Sequence, residues 1–160
     1  CELTLRTFPE GPRMCRMPVR EIASLYGERS AWLEQTVNPG DNPLKAVKGD
    51  LFDIALEAEL SGADTFGLKL RGEALTYSVK EKTLTCLGKA APVDAVSGRI
   101  KLRVLLDRAS IEIFANDGKV VMSSCFVPEP KNKSLEFFTT GGPVKIVTLE
   151  VYELNSSWRK

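Results

Sequence analysis

From Phe52 onward the chain alternates apolar and polar positions in short runs. Phe52, Ile54, Leu56, Ala58 and Leu60 interleave with Asp53, Glu57 and Glu59, and Phe66, Leu68 and Leu70 with Gly67, Lys69 and Arg71. Leu75, Tyr77 and Val79 repeat the pattern, Leu84 and Cys86 follow a Lys80-Glu81-Lys82 turn, and Ile100, Leu102, Val104 and Leu106 begin another run. Successive side chains of a strand point to opposite faces, so each run predicts a strand with one buried face. The stretch from Leu105 to Phe126 reads as three short strands joined by two turns. Asp107-Arg108-Ala109-Ser110 suits a type I turn, because the leading Asp can accept hydrogen bonds from N–H groups just ahead of it. Asn116-Asp117-Gly118 supplies residues that tolerate positive φ between β-branched and aromatic flanks. Between the turns Ile111 and Ile113 point one way, Glu112 and Phe114 the other. Leu135-Glu136-Phe137-Phe138 and a long strand near Val144–Leu154 close the chain around Gly141-Gly142-Pro143. Short strands at roughly 8–12-residue spacing, punctuated by Gly, Pro, Asn and Asp, predict an all-β fold: a two-sheet antiparallel β-sandwich.

The first fifty residues are less regular. Leu3-Thr4-Leu5-Arg6 predicts a strand, followed by a loop around Pro9-Glu10-Gly11-Pro12. Pro18 to Tyr26 is the one predicted helix: Pro18 fits the first helical position, Val19, Ile22, Leu25 and Tyr26 share a face, and Gly27 can end it in the left-handed conformation. So short a helix is unstable alone and must pack its apolar face on something larger, which suits a linker between domains. Ala31 to Pro43 reads as irregular, with Asn38 to Pro43 a loop.

A chain of 160 residues is about one domain and can bury roughly 70% of its unfolded surface without disulfide or metal staples. With 22 basic and 21 acidic residues and no basic stripe interleaved with aromatics, nucleic acid is not an expected partner. No apolar run approaches the roughly 18 residues of a membrane span, and no signal peptide is present. A chain that opens on Cys1 reads as cut from something longer. Cys1, Cys15, Cys86 and Cys125 are widely and irregularly spaced and there is no His, so the expectation is free thiols and no metal or other cofactor.

No catalytic constellation holds together. Asp107 with Glu112 is the tempting carboxylate pair, since glycoside hydrolysis needs two carboxyl groups about 5–5.5 Å apart for retention and farther apart for inversion. Across the predicted hairpin Asp107 lies opposite Ser110 and Glu112 opposite Leu105, so the pair is offset. Asp107 reads as a turn cap, and Arg108 as a solvated side chain at the turn's tip. Without His there is no His-based triad, and no glycine-rich phosphate loop occurs. Aromatic faces are the usual sugar platforms of carbohydrate modules. The candidates are Trp32, Trp158 and Tyr77, with Tyr26 and Tyr152, against a reading of each as packing.

The string Asp107-Arg108-Ala109-Ser110-Ile111-Glu112-Ile113-Phe114-Ala115-Asn116-Asp117-Gly118, followed by a Ser-containing strand and Phe126-Val127-Pro128, resembles the C-terminal module of glycoside hydrolase family 32, the invertases, levanases and inulinases. Ala109 stands where that family usually has Ser, and Cys125 close to where Arg is common. The resemblance gives Asp107, Arg108, Ser110, Glu112, Phe114, Asn116, Asp117 and Gly118 a structural place in a family motif. It also implies a lectin/concanavalin-like jelly roll. Residues 1–16, with the Pro18-Val19-Arg20-Glu21 segment after them, are similar to the end of the family's catalytic β-propeller and its junction. Residues 17–29 would then be the linker helix and 30–160 the sandwich. The family's catalytic Asn-Asp-Pro, Arg-Asp-Pro and Glu-Cys strings are absent, so no catalytic residue carries over.

The implied function is a non-catalytic module of a β-fructosidase that covers an apolar flank of the propeller, with residues such as Val19, Ile22 and Leu25 exposed in its absence. A fructan-binding module and a homo-oligomerisation module are the alternatives. The resemblance favours an extracellular or periplasmic parent.

Overall fold

A computed structural model describes residues 1–157. In chain order the strands are β1 (Glu2–Phe8), β2 (Gly11–Met17), β3 (Tyr26–Val37), β4 (Phe52–Glu59), β5 (Thr65–Leu70), β6 (Glu73–Ser78), β7 (Thr83–Cys86), β8 (Lys89–Pro92), β9 (Arg99–Leu106), β10 (Ser110–Ala115), β11 (Val120–Cys125), β12 (Leu135–Thr140) and β13 (Val144–Leu154). A six-stranded sheet runs β11-β10-β9-β4-β13-β3 and a five-stranded sheet β12-β5-β6-β7-β8, with every pairing antiparallel. The two sheets form the expected sandwich, and β1 with β2 makes a separate hairpin.

The alternation seen in the sequence is the core. Phe52, Ile54 and Leu56, Ile100 to Leu106 at every second position, and Ile111 with Ile113 face inward from the six-stranded sheet. Phe66, Leu68, Leu70, Leu75, Tyr77, Leu84 and Phe137 meet them from the other sheet. Burying each large apolar side chain contributes about 1.5–3 kcal/mol. The Phe66 ring lies 5.5 Å from Tyr77 and 6.4 Å from Phe137. A bulge at β13, between Ile146 and Thr148 against β4, lets both Ile146 and Leu149 point inward despite their odd spacing.

Four segments differ from expectation. The loop around Pro9 is a tight turn between two strands, with Gly11 at φ +113° opening β2. The stretch read as irregular after Ala31 is largely strand β3. It escapes the alternation pattern because it is an edge strand with few buried side chains, and because Glu34, at φ +50°, switches the inward face from Trp32 to Val37. The exposed Ala- and Pro-containing β8 carries no strand signal at all. The predicted helix is a six-residue 3-10 segment, Arg20–Leu25, and not Pro18–Tyr26. Val19 before it and Tyr26 after it are extended, and Gly27 lies within β3 without a left-handed φ. None of its side chains is buried, and Val19 is exposed.

Candidate functional site at the hairpin–sandwich junction

The β1–β2 hairpin presents two faces of different character. Arg6, Phe8, Arg13, Cys15 and Met17 lie on the same face. Two strands cannot enclose a side chain between themselves, yet Cys15 is 1% exposed, so the sandwich must cover that face around Cys15, with Phe8 and Met17 half-buried beside it and Glu2, Thr4, Arg6 and Arg13 exposed. Met17 accordingly lines a cavity with Phe114, Arg103 and Ala55 on the outer face of the six-stranded sheet. Phe114 is itself 1% exposed although it points away from the main core. The opposite face carries Leu3, Leu5 and Met14, at 58%, 71% and 60% exposure, with Leu5 directly across from Met14.

The hairpin meets the sandwich at the four-residue loop between β10 and β11. Asn116 and Asp117 take positive φ, as their side chains permit, and Gly118 follows at φ +80°. Asn116 anchors the loop to the sandwich: its Nδ2 donates to the Asp94 carbonyl at 2.7 Å, its Oδ1 accepts from the Lys101 N–H, and its own N–H donates to the Lys101 carbonyl. The next three residues face the hairpin. Asp117 pairs with Arg6 at 3.9 Å, and the Arg16 N–H donates to the Gly118 carbonyl at 3.1 Å. The Lys119 ammonium lies 2.5 Å from Glu10 and 4.5 Å from the centre of the Phe8 ring. That ammonium holds the Glu10 carboxyl below the usual carboxylate range.

A groove of about 1200 Å³ runs beside this junction, between Phe8 and Pro9 of the hairpin and Val93 to Ser97 of the sandwich. Five Arg or Lys and five Asp or Glu side chains line it, so no net charge selects an ion.

A second polar cluster lies on the outer face of the six-stranded sheet. Asp53 on β4 is 2% exposed and accepts from Arg103 Nε and Nη2 at 3.0 and 2.7 Å, and from Tyr26 Oη at 2.8 Å. A bidentate guanidinium and a phenol satisfy the carboxylate that burial would otherwise penalise. Burial, then the bond to Asp53, pushes the Tyr26 phenol up to about 12. Tyr26 stacks on Tyr152 at 4.0 Å, and Arg29 lies over Tyr152 while pairing with Glu150. These residues tie edge strand β3 and the linker to the sheet. Sequence reasoning named Tyr26 and Tyr152 separately, and their 126-residue separation hides the pairing.

The remaining candidates scatter. Asp107 Oδ1 accepts from the Arg108 N–H at 2.7 Å, and its N–H donates to the Ser110 carbonyl. Arg108 is exposed at this turn, and Ser110 opens β10 opposite Cys125. Glu112 pairs with Leu105 in register, one step along the ladder from the turn. Tyr77 is enclosed in the core with its hydroxyl donating to the Val93 carbonyl, so its ring offers no face to a sugar. Trp32 packs partly buried against the core, and Trp158 lies outside the described residues. Among the described residues no three His, Cys, Asp or Glu are grouped to hold a metal, and no helix is long and apolar enough to cross a membrane. The cysteines are free: Cys15 and Cys86 buried, Cys1 and Cys125 exposed.

A family profile described as "Glycosyl hydrolases family 32 C terminal" matches residues 21–153. The chain is 33% identical to a levanase of Bacillus subtilis (strain 168) over 98% of its length and 27% of the levanase. It is 31% identical to a levanase of Bacillus sp. (strain L7), spanning 99% of this chain and 20% of that protein. It therefore spans about a quarter of these relatives or less. The exo-inulinase of Aspergillus awamori superposes on 98% of the chain with a TM-score of 0.85 at 19% identity, this chain covering 35% of it. The hairpin precedes the residues matched by the profile but falls within the levanase similarity, which continues through the junction. The sandwich with its linker, matched over most of the chain, belongs to the C-terminal domain family of the family 32 glycosyl hydrolases.

Proposed function

We propose that the chain is the non-catalytic C-terminal module of a β-fructosidase and that it stabilises the catalytic domain of the same polypeptide by holding that domain's last hairpin. The parent would hydrolyse β-fructosyl linkages in sucrose, levan or inulin with residues outside this chain. The observation that carries the reading is the bare outward face of the hairpin. Leu3, Leu5 and Met14 stand more than half exposed on a two-stranded sheet whose other face already meets the sandwich around Cys15, Phe8 and Met17. A compact exposed apolar group of this kind marks a surface that is buried in the assembled protein. The start of the family match at residue 21, after the hairpin, supports assigning the hairpin to the preceding domain.

The test compares this chain with the full-length parent. The chain alone should hydrolyse none of the three sugars, and turnover by it would sink the non-catalytic reading. Leu5→Ser with Met14→Ser should leave the unfolding midpoint of the chain almost unchanged. In the parent the same pair should shorten the half-life of fructan hydrolysis at elevated temperature several-fold, and an unaltered half-life would overturn the interface.

A further inference from the structure

We infer that the loop Asn116–Lys119 is a socket that fixes the hairpin in one orientation on the sandwich, which makes Gly118 a positioning residue for the surface that the module presents to its parent. The inference deepens the reading above and rests on it only for consequences in the full-length enzyme.

The argument turns on how closely two backbones meet. A Cβ added at Gly118 would fall 2.6 Å from the Arg16 carbonyl carbon, 2.9 Å from the Arg16 nitrogen, and closer still to the Arg16 oxygen. Real Cβ atoms do not approach main chain so closely, and main-chain atoms cannot swing aside as the end of a side chain does. Glycine is therefore required here for space as well as for its positive φ. Gly88, at φ +73° in the β7–β8 turn, has the same backbone requirement but open space around it, with no atom within 4 Å of an added Cβ. The contrast separates a turn glycine from a socket glycine.

The neighbours of Gly118 divide the work. Asn116 is committed to the sandwich through Asp94 and Lys101, while Asp117, Gly118 and Lys119 reach Arg6, Arg16, and Glu10 with Phe8. The loop is thus held rigid from below and grips both strands of the hairpin from above. Among the loop's contacts to the hairpin the Arg16–Gly118 hydrogen bond joins main chain to main chain, so it fixes height and angle where the flexible ion pairs cannot.

The cysteines provide the readout. Cys15 is buried on the hairpin's covered face and Cys86 within the sandwich core, where burial pushes its thiol up to about 11. The experiment is alkylation of the folded chain by N-ethylmaleimide, followed by peptide mass spectrometry. In Gly118→Ala, Cys15 should label at least about tenfold faster than in the unsubstituted chain while Cys86 stays protected, because the hairpin lifts and the sandwich remains. Gly88→Ala should leave Cys15 unchanged. Equal acceleration at Cys15 and Cys86 would overturn the socket, since the glycine would then serve only the overall fold, and so would an unchanged Cys15. If Gly118→Ala does not fold, Lys119→Met decides, since it removes the ammonium from Glu10 and Phe8 without touching the backbone. A several-fold rise at Cys15 supports the socket, and no rise overturns it. Activity of the parent plays no part in these readouts, so their failure is distinct from failure of the proposed function.

Discussion

The sandwich and the N-terminal hairpin are built from the same material, antiparallel strands with alternating side chains, yet they satisfy it differently. In the sandwich each inward residue finds its cover on the facing sheet, and Phe66, Tyr77 and Phe137 are shut away completely. In the hairpin one face meets the sandwich around Cys15 and the other is covered by none of the described residues, leaving Leu5 and its cross-strand partner Met14 both more than half exposed. A strand pattern thus specifies which residues share a face but not what lies against it. Two strands alone are marginal in water, so the hairpin's order depends on a surface it borrows.

The sharpest way to break the comparison is to damage each region equally in chemistry. Phe137→Ala should cost about 3–5 kcal/mol in urea unfolding, through lost burial and the cavity left behind. Leu5→Ser, removing a comparable apolar group from the hairpin's bare face, should cost the isolated chain under about 0.5 kcal/mol. Similar costs at the two sites would mean that the outward face is covered after all.

An intermediate effect is expected where the sheet's outer face is polar. Asp53→Ala strands a partly buried Arg103 and a phenol, and should cost about 2–3 kcal/mol, less than for a wholly buried pair because water still reaches the guanidinium. Ultraviolet titration should then show Tyr26 ionising below the value of about 12 set by burial and Asp53, and part of the way back towards 10. An unmoved titration would detach Tyr26 from the carboxylate.

The smallest effect sharpens the junction itself. The Glu10 carboxyl is held below its ordinary value of 4.5 by its hydrogen bond to Lys119, so the bond favours the docked hairpin above that pH. The contribution falls away as acid takes the pH down through the lowered value. Amide hydrogen exchange, corrected for intrinsic rates, should show β1 and β2 losing protection between pH 6 and pH 3 ahead of β4 and β9. Glu10→Gln should erase most of that difference, and a hairpin no more acid-sensitive than the sandwich would remove this ion pair from the clasp.

The legibility of the fold follows from burial. Strands such as β4, β5 and β9 have one face in the core, so the period of two is written in their residues, and the turns at Asp107 and Asn116 are fixed by local chemistry. The register that sets Glu112 opposite Leu105 followed from those turns. Strand β3 was not legible because an edge strand buries little and Glu34 breaks its alternation. Pro18 and Gly27 suggested a helix longer than the 3-10 segment because their helical uses are common and their extended ones leave no sequence mark. The site was legible only by halves. Asn116-Asp117-Gly118 stands out as a turn, but nothing in the sequence says that Arg16, 102 positions earlier, lies against Gly118, since contacts made by backbone atoms do not depend on residue type.

That last point bears on how the module can change over generations. At the seam between Arg16 and Gly118 only one partner is constrained by its side chain: position 118 has no room for a Cβ, whereas the Arg16 side chain lies on the hairpin's exposed face. Substitutions at position 16 other than proline, which would remove the donating N–H, can therefore accumulate without disturbing this contact. Hairpins that differ at position 16 can share one sandwich, provided that the glycine stays and that Arg6, Phe8, Glu10 and Cys15 keep their contacts.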